Sequence, residues 1–247
     1  MSLVPFESPL RRVPVELDRR TVLYFDGIRY CFHIFDLTCA RLTESLRTLS
    51  SGDQASALLA DRIAAAIADA WTLIDVTHRL RELLSQAPRL KKSSPELQVF
   101  LRCTEAVEGL RHFYQHFRTG IDQFAVAGAP LWGSLSWIHT DSISGENSCY
   151  VAMPGTFFQG VAVPSCTIDT LQNKYIERIA FFAGSAKIDL AELSDRVLQL
   201  CIWYTDWYTS TISGNNIHAA ELHMAMKVRM VPREAGADKN GPGSSET

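Results

Sequence analysis

Apolar residues recur at steps of three and four over long stretches, and this spacing constrains the chain more than any other feature. Phe25, Ile28, Phe32, Phe35, Cys39, Leu42, Leu46 and Leu49 line up on one face of a helix over many turns. A helix with such a stripe must bury it against a partner. Gly52 is expected to end this first helix and Asp53 to cap a second, whose Ile63, Ile67, Ala70, Ile74 and Thr77 form a stripe running to about Leu84. Pro88 and the basic run Arg89-Leu90-Lys91-Lys92 then turn the chain. Ser94-Pro95-Glu96 reads as a helix start: a capping hydroxyl, a proline whose missing N–H costs nothing at the first position, and an acid at the positive end of the helix dipole. The stripe Leu97, Leu101, Thr104, Leu110, Tyr114, Phe117, Ile121 and Phe124 predicts one continuous third helix, stopped by Gly128 and Pro130.

From Leu131 to Lys187 the pattern changes to short β-prone runs, among them Cys149-Tyr150-Val151, Val161-Ala162-Val163 and Tyr175 to Phe182, separated by Gly, Pro, Ser and Asn. Asp189, with Glu192 three residues on, predicts a capped helix through Leu193, Val197, Leu200, Tyr204, Tyr208 and Thr211, ending at Gly214. A shorter helix from about Ile217 to Val228 follows. The expected fold class is mainly α: an up-down helical bundle with a small antiparallel β insertion, about 131–188, before the last core helix. Residues 1–231 are expected to form a single domain, opened by a proline-rich arm. The stretch 232–247 has almost no apolar content and is expected to be a disordered tail.

At 47% hydrophobic residues in 247 the chain can bury a sizeable core, and its net charge of −3 excludes the electrostatics of a bulk polyanion binder. Any nucleic-acid contact must come from a local cluster of Arg and Lys. The six cysteines are widely spaced, without a zinc-binding pattern, and are read as reduced core thiols. His218 and His223 are five apart, off the spacing of a helical zinc pair, so no metal is expected. No run is apolar enough for a leader or a membrane span, and the expected location is cytoplasmic with no membrane partner.

Two polar groups on the helices carry chemistry. Opposite the apolar stripe of the third helix, Arg111, Gln115, Arg118 and Asp122 share one ridge, with His112 and His116 on the next. On the second helix, Asp75 and His78 lie one turn apart on the same side, beside Trp71, Arg79 and Arg81. The first reads equally as a solvated helix face, and the second reads first as a local ion pair on such a face. In an antiparallel bundle the second helix packs beside the third, and Asp75 with His78 then support a histidine site there. The aromatic run Trp203-Tyr204-Thr205-Asp206-Trp207-Tyr208 is read as core packing or an interface.

The segment Arg111-His112-Phe113-Tyr114-Gln115-His116 resembles the Arg-x4-6-His motif of the HEPN superfamily, helical bundles that often dimerise and frequently cut RNA without a metal. The residue after the arginine is commonly Asn, Asp or His in that family, and His112 stands there. The resemblance implies a metal-independent endoribonuclease of a defence or toxin–antitoxin system, with Arg111, His116 and His112 as catalytic residues and no cofactor. It also implies RNA as substrate and an antitoxin-like protein as partner. Because Arg111 and His116 stand about 140° apart on an ideal helix, a homodimer is expected to complete the site. The alternative is a non-catalytic bundle acting as a protein-interaction module.

Overall fold

A computed structural model describes residues 2–51, 56–116, 121, 130–155, 163–169, 174–212 and 219–220. Among them are five α-helices: α1 (Arg19–Ser50), α2 (Ser56–Gln86), α3 (Pro95–Cys103), α4 (Ala106–Gln115) and α5 (Leu190–Thr211). The fold is an up-down helical bundle with a small antiparallel β insertion before its last helix, as the periodicity predicts.

Helix α1 starts earlier than its apolar stripe because the Asp18 carboxylate accepts from the Thr21 backbone N–H at 3.0 Å and caps the end. Its Phe25, Phe32 and Phe35 are buried together with Tyr204 and Tyr208 of α5, so the long hairpin α1–α2 and the last helix share one core. The aromatic run of α5 therefore serves packing.

The following expectations need correcting. The third helix is not continuous: it breaks at Thr104–Glu105 into α3 and α4. The cause comes from α2, where the buried Arg81 donates to Thr104 Oγ1 at 2.6 Å, to the Leu101 carbonyl, and to the Glu108 carboxylate at 2.7 and 3.1 Å. Ser94 makes no capping bond to α3; its hydroxyl donates backward to the Lys91 carbonyl. Among the cysteines, Cys103 and Cys149 are exposed, while Cys31, Cys166 and Cys201 are buried thiols as expected.

The basic turn after α2 is structural. Leu90 is buried, and Lys92 Nζ donates to the carbonyls of Leu84 and Ala87 at 2.8 and 2.7 Å, which closes the end of α2.

The insertion is a four-stranded antiparallel sheet. Strands β2 (Ser134–Thr140), β3 (Asn147–Ala152), β6 (Ile179–Ala183) and β7 (Ala186–Asp189) stand in the order β3-β2-β6-β7. One face carries Leu135, Trp137 and Phe181 into the bundle core. Trp137 Nε1 donates to Ser50 Oγ at 2.9 Å and Tyr150 donates to the Ser50 carbonyl, which seats the sheet on the end of α1. The other face is covered around Cys166, whose backbone N–H donates to Ser136 Oγ at 2.9 Å. A two-stranded ribbon, β4 (Ile168–Asp169) with β5 (Lys174–Tyr175), extends from that cover. A second, β1 (Arg12–Val13) with β8 (Ala219–Ala220), joins the two ends of the described chain and puts strand at 219–220, inside the shorter helix expected from about Ile217 to Val228, the rest of which lies outside the described residues.

No helix among the described residues is long and apolar enough to cross a membrane. The expected caps at Gly52 and Asp53, the run 161–162, the strip residues Arg118 and Asp122, the two late histidines and the tail 232–247 lie outside the described residues.

Candidate functional site

On α2, Trp71, Asp75, His78 and Glu82 recur at steps of three and four and so face one way. The side that meets them is α4, which runs antiparallel: Arg81 pairs with Glu108, Asp75 and His78 with Arg111, and Trp71 with Tyr114 in turn along the contact. Arg111 is held at two points. Its Nε donates to Asp75 Oδ1 at 3.1 Å, and its Nη1 lies 2.8 Å from His78 Nε2. A guanidinium only donates, so His78 accepts there and is the neutral tautomer with its proton on Nδ1. Among the described residues, that Nδ1 is buried without a hydrogen-bond partner. Glu82 Oε1 stands 3.3 Å from the same Nε2. The other oxygen of Asp75 accepts from Arg79 Nε at 2.7 Å. Burial pushes the Asp75 carboxyl up, but the bonds from Arg79 and Arg111 outweigh it and hold the group below the usual carboxylate range.

This cluster forms the polar end of a cleft of about 720 Å³, within the ~300–1,000 Å³ span of small-molecule sites. Its floor is apolar α2 surface ending at Trp71, and its far walls are Tyr114, Trp132 and Pro154. Trp71 is almost fully buried, set edge-on to Phe181 at 5.0 Å, and its Nε1 donates to the Trp132 carbonyl at 3.0 Å. That bond, with the turn at Gly133 (φ 82°), fixes the Trp132 backbone, and the residue is 49% exposed. Tyr114 and Trp132 are 6.0 Å apart and tilted by 58°, so neither covers the face of the other. Of the described charged residues lining the cleft, two are cations, Arg79 and Arg111, and one is an anion, Asp75.

The sequence-based site residues are thus only partly brought together. Asp75, His78 and Arg111 converge. His112 and His116 lie side by side further around α4, with ring centroids 4.4 Å apart and planes tilted by 49°, and neither lines the cleft. The imidazole that Arg111 meets is His78, not His116. Both His112 and His116 are exposed, and His116 is the residue that ends α4, its backbone N–H donating to the Phe113 carbonyl. Periodicity assigned Tyr114 to the core and carried no signal for Trp132 or Pro154, which reach the cleft only through the sheet. The sole local hint was Trp132-Gly133, an aromatic residue next to a turn glycine. Among the described residues, no group of three or more His, Cys, Asp or Glu is placed to hold a metal ion.

No protein-family model matches this chain, and no curated protein or solved structure is significantly similar to it.

Proposed function

We propose that the chain is a HEPN-like RNA-binding protein that cuts single-stranded RNA without a metal along α4. The observation that carries this reading is Arg111, a guanidinium fixed by Asp75 and His78 at the charged end of an aromatic cleft. A planar cation held in place beside aromatic surface suits a phosphate joined to a base, and it holds the charge that builds on phosphorus in the transition state.

His116 is assigned as the base that takes the ribose 2′-OH proton, imidazole being the side chain that gains and loses a proton near neutral pH. The 2′ oxygen then attacks phosphorus, the bond to the 5′ oxygen breaks, and that oxygen needs a proton. In-line displacement puts base and acid on opposite sides of phosphorus. The His112 and His116 rings of one copy lie 4.4 Å apart and reach phosphorus from one side only, and Arg111 and His116 of one copy diverge on α4, so a second copy is needed to bring base, acid and cation together. Leu23, Tyr30, Ile34 and Leu37 form an exposed apolar stripe on α1, a surface through which two copies can pair.

The test is cleavage of single-stranded RNA in EDTA, leaving 2′,3′-cyclic phosphate ends. His116→Ala should lower the rate on the order of 10²- to 10⁴-fold, and Arg111→Lys should be poor because the ammonium lacks the planar fork. Wild-type protein without cleavage, or cleavage undiminished in His116→Ala, overturns the assignment.

A further inference from the structure

We infer that Cys149 and Cys166 form a peroxide-reactive dithiol, in which the exposed Cys149 meets the oxidant and the buried Cys166 then closes a disulfide that ties the cover of the sheet to its edge strand. This site lies on the sheet, away from the α2–α4 cleft, and is independent of the nuclease reading.

The two thiols come to one serine from different parts of the chain. Ser136 pairs with Val151 and Ile138 with Cys149 across β2 and β3, so Ser136 and Cys149 are diagonal neighbours on one face of the sheet. Their side chains meet there, with Cys149 Sγ 3.3 Å from Ser136 Oγ. Cys166 crosses the same face in the cover. Its N–H donates to Ser136 Oγ at 2.9 Å, and its thiol donates to the Ser136 carbonyl at 3.3 Å. Both cysteines are free thiols, and a charge on Cys149 is felt at Cys166.

Their surroundings divide the work between them. In the order β3-β2-β6-β7 the strand β3 is outermost, and Cys149 on it is exposed. Cys166 is 4% exposed, and burial pushes its thiol up, although bonds from Ser136 and the Ala180 backbone act the other way. Because the thiolate is the form that reacts, an oxidant from solvent attacks Cys149 while Cys166 waits beside it as a thiol. A sensor cysteine next to a resolving one has this arrangement. A disulfide needs its Cα atoms within about 7 Å, and the cover can settle toward β3 because residues 163–167 belong to no helix or strand.

The oxidant is a hydroperoxide. The Cys149 thiolate attacks one peroxide oxygen, the O–O bond breaks, and the hydroxide released takes up a proton as water. Cys149 is then a sulfenic acid. The Cys166 sulfur attacks the Cys149 sulfur, the S–O bond breaks, and the departing hydroxyl leaves as a second water with the Cys166 proton. The two thiols have given up one electron pair, which the peroxide has accepted.

The test treats the reduced full chain with hydrogen peroxide and dimedone, a trap for sulfenic acids, and maps the products by mass spectrometry without reduction. In wild type Cys149 should be linked to Cys166, and the dimedone adduct should sit on Cys103, the other exposed cysteine. In Cys166→Ala the adduct on Cys149 should rise on the order of tenfold. In Cys149→Ser, a change at an exposed position, Cys166 should stay unmodified. A thermal melt checks that Cys166→Ala is folded, and the wild-type map needs no variant. Dithiothreitol should reverse the link, and amide exchange through 163–167 should be slower in the oxidised protein than in the reduced one.

Cys149 trapped by dimedone as fully in wild type as in Cys166→Ala overturns the pair, as does a link from Cys149 to Cys103 or to a second chain. Cys166 oxidised as fast in Cys149→Ser as in wild type overturns the order of attack. A link that leaves exchange through 163–167 unchanged overturns the tie between cover and edge strand.

Discussion

Replacing Arg81 with methionine tests the contact that divides α3 from α4. Methionine keeps most of the stem and removes the guanidinium. Three interactions go. The pair with Glu108 is worth little, at most about 1 kcal/mol, because the Glu108 side chain is 55% exposed and rehydrates when released. The Leu101 carbonyl, in the last turn of α3, loses a charge-assisted bond worth roughly 1.5–3 kcal/mol. Thr104 Oγ1 loses an incoming donor but still donates to the Phe100 carbonyl at 2.7 Å, a loss of about 1 kcal/mol or less. Against these stands the relief of desolvating a cation whose side chain is only 9% exposed, a gain of roughly 1–2 kcal/mol when an apolar group replaces it. The expected net loss is about 2 kcal/mol. Urea denaturation followed by far-UV circular dichroism measures it as a shift in midpoint at constant slope. Glu108→Gln is the control and should cost under about 1 kcal/mol. A methionine variant as stable as wild type, or more so, would refute the reasoning and mean that the break at Thr104–Glu105 is set within α3 and α4 themselves.

Three further outcomes follow from particular residues. Gly133→Ala should cost at least about 2 kcal/mol, because its Cβ would lie 2.5 Å from the Phe182 carbonyl oxygen and 2.7 Å from Phe181 Cζ at a φ of 82°; a melting temperature within a degree of wild type would contradict this. Tyr204→Phe should raise stability by about 1 kcal/mol: the Tyr204 side chain is fully buried, and its hydroxyl has no hydrogen-bond partner among the described residues. A loss of stability on that substitution would point to an unseen partner for the hydroxyl. Asp75 is depressed in the folded state, so its contribution is fully present above the unfolded value of about 3.9 and disappears as pH falls through the lower folded value. The difference in melting temperature between wild type and Asp75→Asn should be flat from about pH 5 to 7 and shrink below about pH 4; a difference that grows on acidification would reverse the sign argued here.

The helices α1, α2 and α5 were legible in the sequence because a helix is specified by neighbours three and four residues apart. The stripe from Phe25 to Leu49 and the Asp189 cap lie within that range, and the cap bonds Ala191 and Glu192 as read. The early start of α1 was hidden: Arg19 and Arg20 sit unfavourably at the positive end of the dipole and mask the Asp18 cap. The β insertion was visible as a change of period, but its strand order was not, since pairing joins residues far apart in the chain. Tertiary packing alone decided the break after α3, for the stripe runs on through Thr104, and the residue that interrupts the helix, Arg81, comes from α2. It also decided the site. The motif paired Arg111 with a histidine five residues on, where helix geometry points the two side chains apart. The antiparallel packing of α2 on α4 instead brings in Asp75 and His78 from 36 and 33 residues away. Trp132 reaches the cleft through a bond to Trp71 that spans 61 residues. Local periodicity can name the face on which a side chain lies, but which other face it meets depends on how whole elements bury their stripes together.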